Sequence, residues 1–205
     1  MLKIGITGGI GSGKTTVCKL FELLGTPVYY ADDASKQLLV SDPGIKAKIV
    51  TVFGEGILDE NNSISRQKVA QHVFGNEEEL KKLNFIMHPA VALHFDTWLK
   101  QHSTSVYILK EAAIMFESGA YLQMDQIITV AATEELRIMR VMKRDGTSRE
   151  EVLRRIKAQL SEEERIKRSQ YIIRNDEQQM VIPQVLKLHQ KFLSNSAVRI
   201  NTTSK

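Results

Sequence analysis

Gly8-Gly9-Ile10-Gly11-Ser12-Gly13-Lys14-Thr15 follows an alternating apolar run, Leu2, Ile4 and Ile6, and leads into the helix-forming stretch Thr15-Thr16-Val17-Cys18-Lys19-Leu20-Phe21. Strand, glycine-rich loop and helix, with the spacing G-x-x-x-x-G-K-T, make a Walker A phosphate-binding loop. Four glycines among six residues (8–13) let backbone N–H groups turn inward where a Cβ would clash. Lys14 can set its ammonium on β- and γ-phosphates, and Thr15 can offer its hydroxyl to Mg²⁺. The N-terminus of the helix adds partial positive charge at the same spot. The segment points to a bound nucleotide.

Working outward, 205 residues with 42% apolar content suit one α/β domain carrying an insertion. No apolar run approaches the ~20 residues that span a bilayer, and the chain enters a strand pattern without a basic leader, so a cytoplasmic location with no membrane partner is expected. A single cysteine, Cys18, excludes an intrachain disulfide framework and reads as a small buried side chain. The net charge is +4, and eleven Lys or Arg fall among the thirty-two residues 137–168. Arg137, Arg140 and Arg144 are spaced to share one helix face, which can meet phosphates or be a solvated surface balanced by Glu150, Glu151, Glu162, Glu163 and Glu164. No aromatic residue interleaves with this stretch before Tyr171, so no stacking platform for nucleic acid is expected. No obligate protein partner is evident.

Candidate strands at 3–7, 27–30, 106–110, 126–130 and 171–173 alternate with helical patterns. Such alternation specifies an α/β fold: a doubly wound, mainly parallel five-stranded sheet of the P-loop NTPase type. About seventy-five residues separate the second strand from the third, far more than one crossover needs. That gap holds helical stretches at 34–39, 43–53, 66–74 and 77–100, expected to be broken by Gly44, Gly54, Gly56, Gly75 and Pro89. The expected division is a nucleotide-binding core at 1–32, 104–136 and 170–195, a helical substrate-binding insertion at 33–103, and a helical lid at 137–169. Ser148-Arg149-Glu150-Glu151 and Ser161-Glu162-Glu163-Glu164 fit the S-x-x-E capping box and set two helix starts in the lid. The polar stretch 195–205 is expected to fray.

Acidic residues at strand ends carry the remaining chemistry. Glu111, closing the strand expected beside the loop strand, is a candidate for Mg²⁺ or its water shell. Asp32, after the second strand, can accept a proton from an alcohol attacking the γ-phosphate, or cap the next helix. Asp33 reads as a capping or solvent-facing residue. No guanine-selecting Asn-Lys-x-Asp run follows a late strand, which disfavours a GTPase switch. A kinase for another small alcohol, such as a nucleoside or shikimate, is the rival reading.

With these residues in view, the chain resembles the dephospho-coenzyme A kinase family over nearly its whole length. The resemblance rests on Ile6 through Thr16, Ala31-Asp32, His88-Pro89, Ile114-Met115-Phe116-Glu117, Arg144-Asp145 followed by Arg149-Glu150, Ala158-Gln159, and Ile172-Ile173-Arg174-Asn175. It implies transfer of the ATP γ-phosphoryl group to the ribose 3′-hydroxyl of dephospho-coenzyme A, the last step of coenzyme A synthesis, with Mg²⁺. In this reading Gly11, Ser12, Gly13, Lys14, Thr15 and Thr16 hold ATP, and Asp32 is the general base. Arg140 and Arg144 match lid arginines that neutralise charge during transfer. The insertion receives the acceptor. His88 lines the acceptor pocket or is a structural histidine; Glu117 binds at the acceptor side or pairs with an arginine. The chain departs from the family pattern at Tyr30, where the first acid of Asp-Ala-Asp is replaced, at Ala113 in place of proline, and at Gln170, a position often acidic.

Overall fold

The computed structural model describes residues 1–202, which fall into two compact units. One comprises Met1–Tyr29 and the chain from His102 onward; the other is Tyr30–Gln101.

The first unit is built on a five-stranded sheet, of which only the last residue of β2 is counted with the second: β1 (Leu2–Thr7), β2 (Val28–Tyr30), β3 (Tyr107–Glu111), β4 (Gln126–Ala131) and β5 (Tyr171–Arg174). Their spatial order is β2-β3-β1-β4-β5. β1 pairs in parallel with β3, placing Ile6 against Glu111, and with β4, placing Ile6 against Ile128; β5 pairs in parallel with β4. Ile4, Ile6, Ile108, Leu109 and Ile128 are fully buried, as a parallel sheet covered on both faces requires. The expected strands are all present, with ends shifted by one residue; Glu111 lies inside β3 as its last member.

Helix α1 (Lys14–Leu23) buries Val17, Cys18 and Phe21. The last helix, α9 (Val181–Thr202), buries Val185, Leu188 and Phe192. Phe192 meets Tyr107 and Tyr171 edge-on at 5.3 and 5.4 Å between ring centres. The polar stretch expected to fray continues α9 as far as Thr202, and 203–205 lie outside the described residues. Between β4 and β5 come α6 (Glu134–Asp145), α7 (Arg149–Lys157) and α8 (Glu162–Arg168). Ile138, Val141 and Val152 form the small core of α6 and α7, with Ile10 of the glycine-rich loop packed against it. Ser148 and Ser161 accept from the N–H groups of Glu151 and Glu164, so both serine caps form where the sequence puts them.

The second unit consists of α2 (Ala31–Ser41), α3 (Pro43–Phe53), α4 (Arg66–Val73) and α5 (Glu77–Gln101) around Ile45, Ile49, Ile57, Ile64, Val69 and Met87. Asp42 caps α3 by accepting from Ile45 N–H at 2.9 Å, and Pro43 takes the first helical position, where a missing N–H costs nothing. Two expected breaks are absent. Gly44 sits in the first turn of α3, and α5 runs straight through Pro89. Proline here forfeits the bond to the carbonyl of Phe85 and crowds that carbonyl with its ring, on a turn where Phe85 is 83% exposed, while the buried Met87 and Phe95 anchor the helix on either side.

Candidate active site

The glycine-rich loop lies between the end of β1 and the start of α1 in the first unit. Gly13 takes φ +92° and gives α1 no side-chain cap hydrogen bond, and the start of the helix carries the partial positive charge that favours an anion. Gly11 takes φ +79°, and a Cβ there would lie 2.5 Å from the carbonyl oxygen of Arg137. Lys14 Nζ donates to the Gly8 carbonyl at 2.9 Å and stands 4.0 Å from Glu111 Oε1, both side chains nearly buried. Thr15 and Thr16 are exposed in the first turn of α1. The Ser12 hydroxyl is fully buried with no hydrogen-bond partner, an orphan inside the cradle. Lys14, Glu111 and the loop are thus brought together.

Among the described residues no three or more His, Cys, Asp or Glu side chains are grouped to hold a metal ion. The donor set that is present, a threonine hydroxyl and one carboxylate, is that of a hard cation keeping most of its waters and completed by phosphate oxygens, which is how Mg²⁺ binds in kinases. The residues fit that ion.

Side chains from outside the loop hold its shape. Ile10 N–H donates to Gln159 Oε1 at 2.9 Å, and Asn175 Nδ2 donates to the Ser12 carbonyl at 2.8 Å. The Arg137 guanidinium, 4% exposed, lies so close to Gly9 that a Cβ on that glycine would sit 2.6 Å from Cζ, and it pairs with Glu162 at 3.4 Å. Arg165 is also fully buried; burial lowers its pKa, and its Nε and Nη1 have no hydrogen-bond partner.

The expected lid arginines part ways. Arg140 donates to the Asn175 carbonyl at 3.0 Å and to Glu177 at 3.1 Å. Arg144 lies against Asp145 at 2.6 and 3.0 Å, and this hydrogen bond raises its pKa while holding the Asp145 carboxyl below its ordinary value. Arg137, expected on the same face, is turned inward under the loop. Glu117 accepts from Leu160 N–H at 2.8 Å, fastening the connection between α7 and α8.

The other two candidates belong to the second unit. Asp32 is the second residue of α2 and exposed; Tyr30 holds the N-cap position without a side-chain cap hydrogen bond, so Asp32 is not the N-cap. Asp33 is solvent-facing and pairs with Lys36 at 2.8 Å. His88 on α5 has its Nε2 buried without a hydrogen-bond partner, and burial lowers its pKa, which keeps the imidazole neutral. Gln159, Arg137 and Glu162 are not legible in the sequence as loop supports. Their partners are remote in the chain, and the signals at Gln159, its place just past the helix started at Ser148 and its membership of the Ala158-Gln159 pair in the family resemblance, do not say what it holds.

The model of the family described as dephospho-CoA kinase matches residues 2–180. A dephospho-CoA kinase of Bacteroides fragilis (strain YCH46) is 38% identical over 187 residues, covering 91% of each chain. Among solved structures, TT1252 from Thermus thermophilus superposes with a TM-score of 0.80 at 31% identity over 95% of this chain and 97% of that one. The dephospho-CoA kinase from Campylobacter jejuni gives 0.70 at 24% identity over 94% and 98%, a likeness of fold.

Proposed function

The chain belongs to the dephospho-CoA kinase family, and on that premise we propose how its residues divide the work. The reaction is transfer of the ATP γ-phosphoryl group to the ribose 3′-hydroxyl of dephospho-coenzyme A, giving coenzyme A and ADP at the end of coenzyme A synthesis. A bond forms between the 3′-oxygen and the γ-phosphorus, the bond from that phosphorus to the β-bridging oxygen breaks, and the hydroxyl proton leaves to a base.

In this proposal Gly11, Ser12, Gly13, Lys14, Thr15 and Thr16 hold the phosphates of ATP. The observation that carries it is Lys14, poised between the Gly8 carbonyl and Glu111 at the uncapped start of α1. An ammonium tethered there can follow charge as it moves to the β-bridging oxygen. Thr15, with Glu111 acting through water, would hold Mg²⁺, which supplies charge neutralisation at the β- and γ-oxygens. Asp32 takes the 3′-hydroxyl proton. Arg140 and Arg144 balance charge during transfer once Arg144 exchanges Asp145 for phosphate. Neutral His88, with an unsatisfied ring nitrogen, meets the acceptor, and Glu117 serves the acceptor side through the connection it fastens. A reducing, cytoplasmic setting suits a chain whose single cysteine has no disulfide role.

The test is mass-resolved product analysis with Mg-ATP and dephospho-coenzyme A, alongside acceptor-free and Asp32→Asn reactions. Coenzyme A and ADP in equal amounts are expected. ADP without coenzyme A, or turnover only with an unrelated alcohol such as shikimate, would overturn the assignment.

A further inference from the structure

Two backbone groups of the glycine-rich loop face away from the cradle, and each meets a side-chain amide. Ile10 N–H meets Gln159 in the connection between α7 and α8; the Ser12 carbonyl meets Asn175, which directly follows β5. The backbone fixes the sense of both bonds. An N–H can only donate, so Gln159 presents its oxygen; a carbonyl can only accept, so Asn175 presents its NH₂. Between Ile10 and Ser12 lies Gly11, whose positive φ already bends the chain. Asn175 sits so close to the loop that a Cβ on Gly13 would be 2.2 Å from its Nδ2. The Asn175 backbone is itself tied down, its N–H to the Ala131 carbonyl at 2.8 Å and its own carbonyl to Arg140.

We propose that Gln159 and Asn175 are positioning residues for nucleotide binding: as an opposed acceptor and donor they turn Ile10 N–H and Ser12 C=O outward and so keep the cradle in its phosphate-ready shape. Neither needs to touch the nucleotide. A loop with four glycines in six residues has many shapes available, and a cradle held ready in advance spares the ligand the cost of ordering it. The inference rests on the loop's phosphate-binding role, and ADP affinity is therefore read apart from turnover.

The experiment measures ADP binding by titration calorimetry in Gln159→Ala, Gln159→Glu, Asn175→Ala and Asn175→Asp, with the thermal midpoint of each protein taken without nucleotide. Each alanine variant should weaken ADP about tenfold, the loss of one well-placed hydrogen bond to a preorganised site. The carboxylates should then split. Gln159→Glu retains the acceptor that Ile10 needs, so this variant binds ADP no worse than Gln159→Ala. Asn175→Asp sets a carboxylate against a carbonyl and binds roughly tenfold more weakly than Asn175→Ala. The KM for ATP rises in step with these losses while that for dephospho-coenzyme A holds. Equal penalties from both carboxylates would reduce the effect to added charge and overturn the proposal, as would alanine variants within twofold of the parent. Should Asn175→Asp fail to unfold cooperatively, the two alanine variants and Gln159→Glu decide the matter by the same criteria. A parent protein that does not bind ADP would sink the loop's nucleotide role along with the inference.

Discussion

The glycine-rich loop and the helical unit at Tyr30–Gln101 hold the groups proposed for function by different means. In the loop, polar side chains decide where backbone groups point: Gln159 and Asn175 each take one, Arg137 supports Gly9, and Lys14 rests between a carbonyl and a carboxylate. In the helical unit an apolar cluster fixes the helices, and Asp32 and His88 ride on them, placed by where α2 and α5 begin and turn. A change in the loop should therefore act on nucleotide affinity through local geometry. A change in the helical unit should act on chemistry or acceptor use and leave nucleotide binding alone.

The largest expected break is Asp32→Asn, which should lower kcat by about a thousandfold, within the range for loss of a general base, while ADP binds as before. Near-normal turnover would move the base elsewhere. Lys14→Ala should cost on the order of a hundredfold or more in kcat/KM, and here nucleotide affinity should fall as well. Pre-steady-state phosphoryl transfer and ADP titration together separate the two patterns. If Asp32→Asn weakened ADP as much as Lys14→Ala does, the contrast between the regions would collapse. Third comes Ile49→Ala. Ile49 is fully buried in the cluster of the helical unit, and truncation should destabilise that unit by about 2–5 kcal/mol. Urea unfolding should show the loss, and the KM for dephospho-coenzyme A should rise while ADP affinity holds.

What the sequence discloses follows the same divide. The loop is legible because its chemistry is contiguous: glycines, Lys14 and Thr15 occupy one octapeptide. The central strands β1, β3 and β4 are legible because buried parallel strands are dense in Ile, Leu and Val, while the short outer strands β2 and β5 show as brief runs of β-branched and aromatic residues. Pro89 misleads, since the rule that proline ends a helix assumes nothing else anchors it, whereas here Met87 and Phe95 do. Arg137 reads as one of three arginines on a face, although it is the one turned inward. Its fate depends on Gly9 and Glu162, and no local pattern reports such a partner. Gln159 and Asn175 lie 149 and 163 residues from the groups they hold. Bonds of that span exist only once the sheet order brings β4 beside β1, so periodicity and spacing carry no trace of them.

The smallest effect concerns the helix behind the cradle. Cys18 on α1 is fully buried, and burial first, then the negative charges of Glu111 and Glu22, push its thiol above its ordinary pKa of 9.0. Burial likewise raises Tyr107 from 10.0 to about 12, even though a hydrogen bond from Thr26 works the other way. Both groups hold their protons to higher pH in the folded chain than in the unfolded one. Their contribution to stability is therefore complete below about pH 9 and declines as pH rises toward 12, because the unfolded state ionises first and gains from it. The urea midpoint should fall steadily from pH 9 to pH 11. Cys18→Ala removes the thiol's share, so its midpoint should fall less steeply over the same interval, while at pH 7 the two proteins differ only by the packing of one sulfur. Equal slopes would mean that the thiol ionises as readily in the folded protein as in the unfolded chain. The layer beneath Lys14 would then be open to water, and the buried backing of the side-chain-braced loop that distinguishes this region from the helical unit would have to be redrawn.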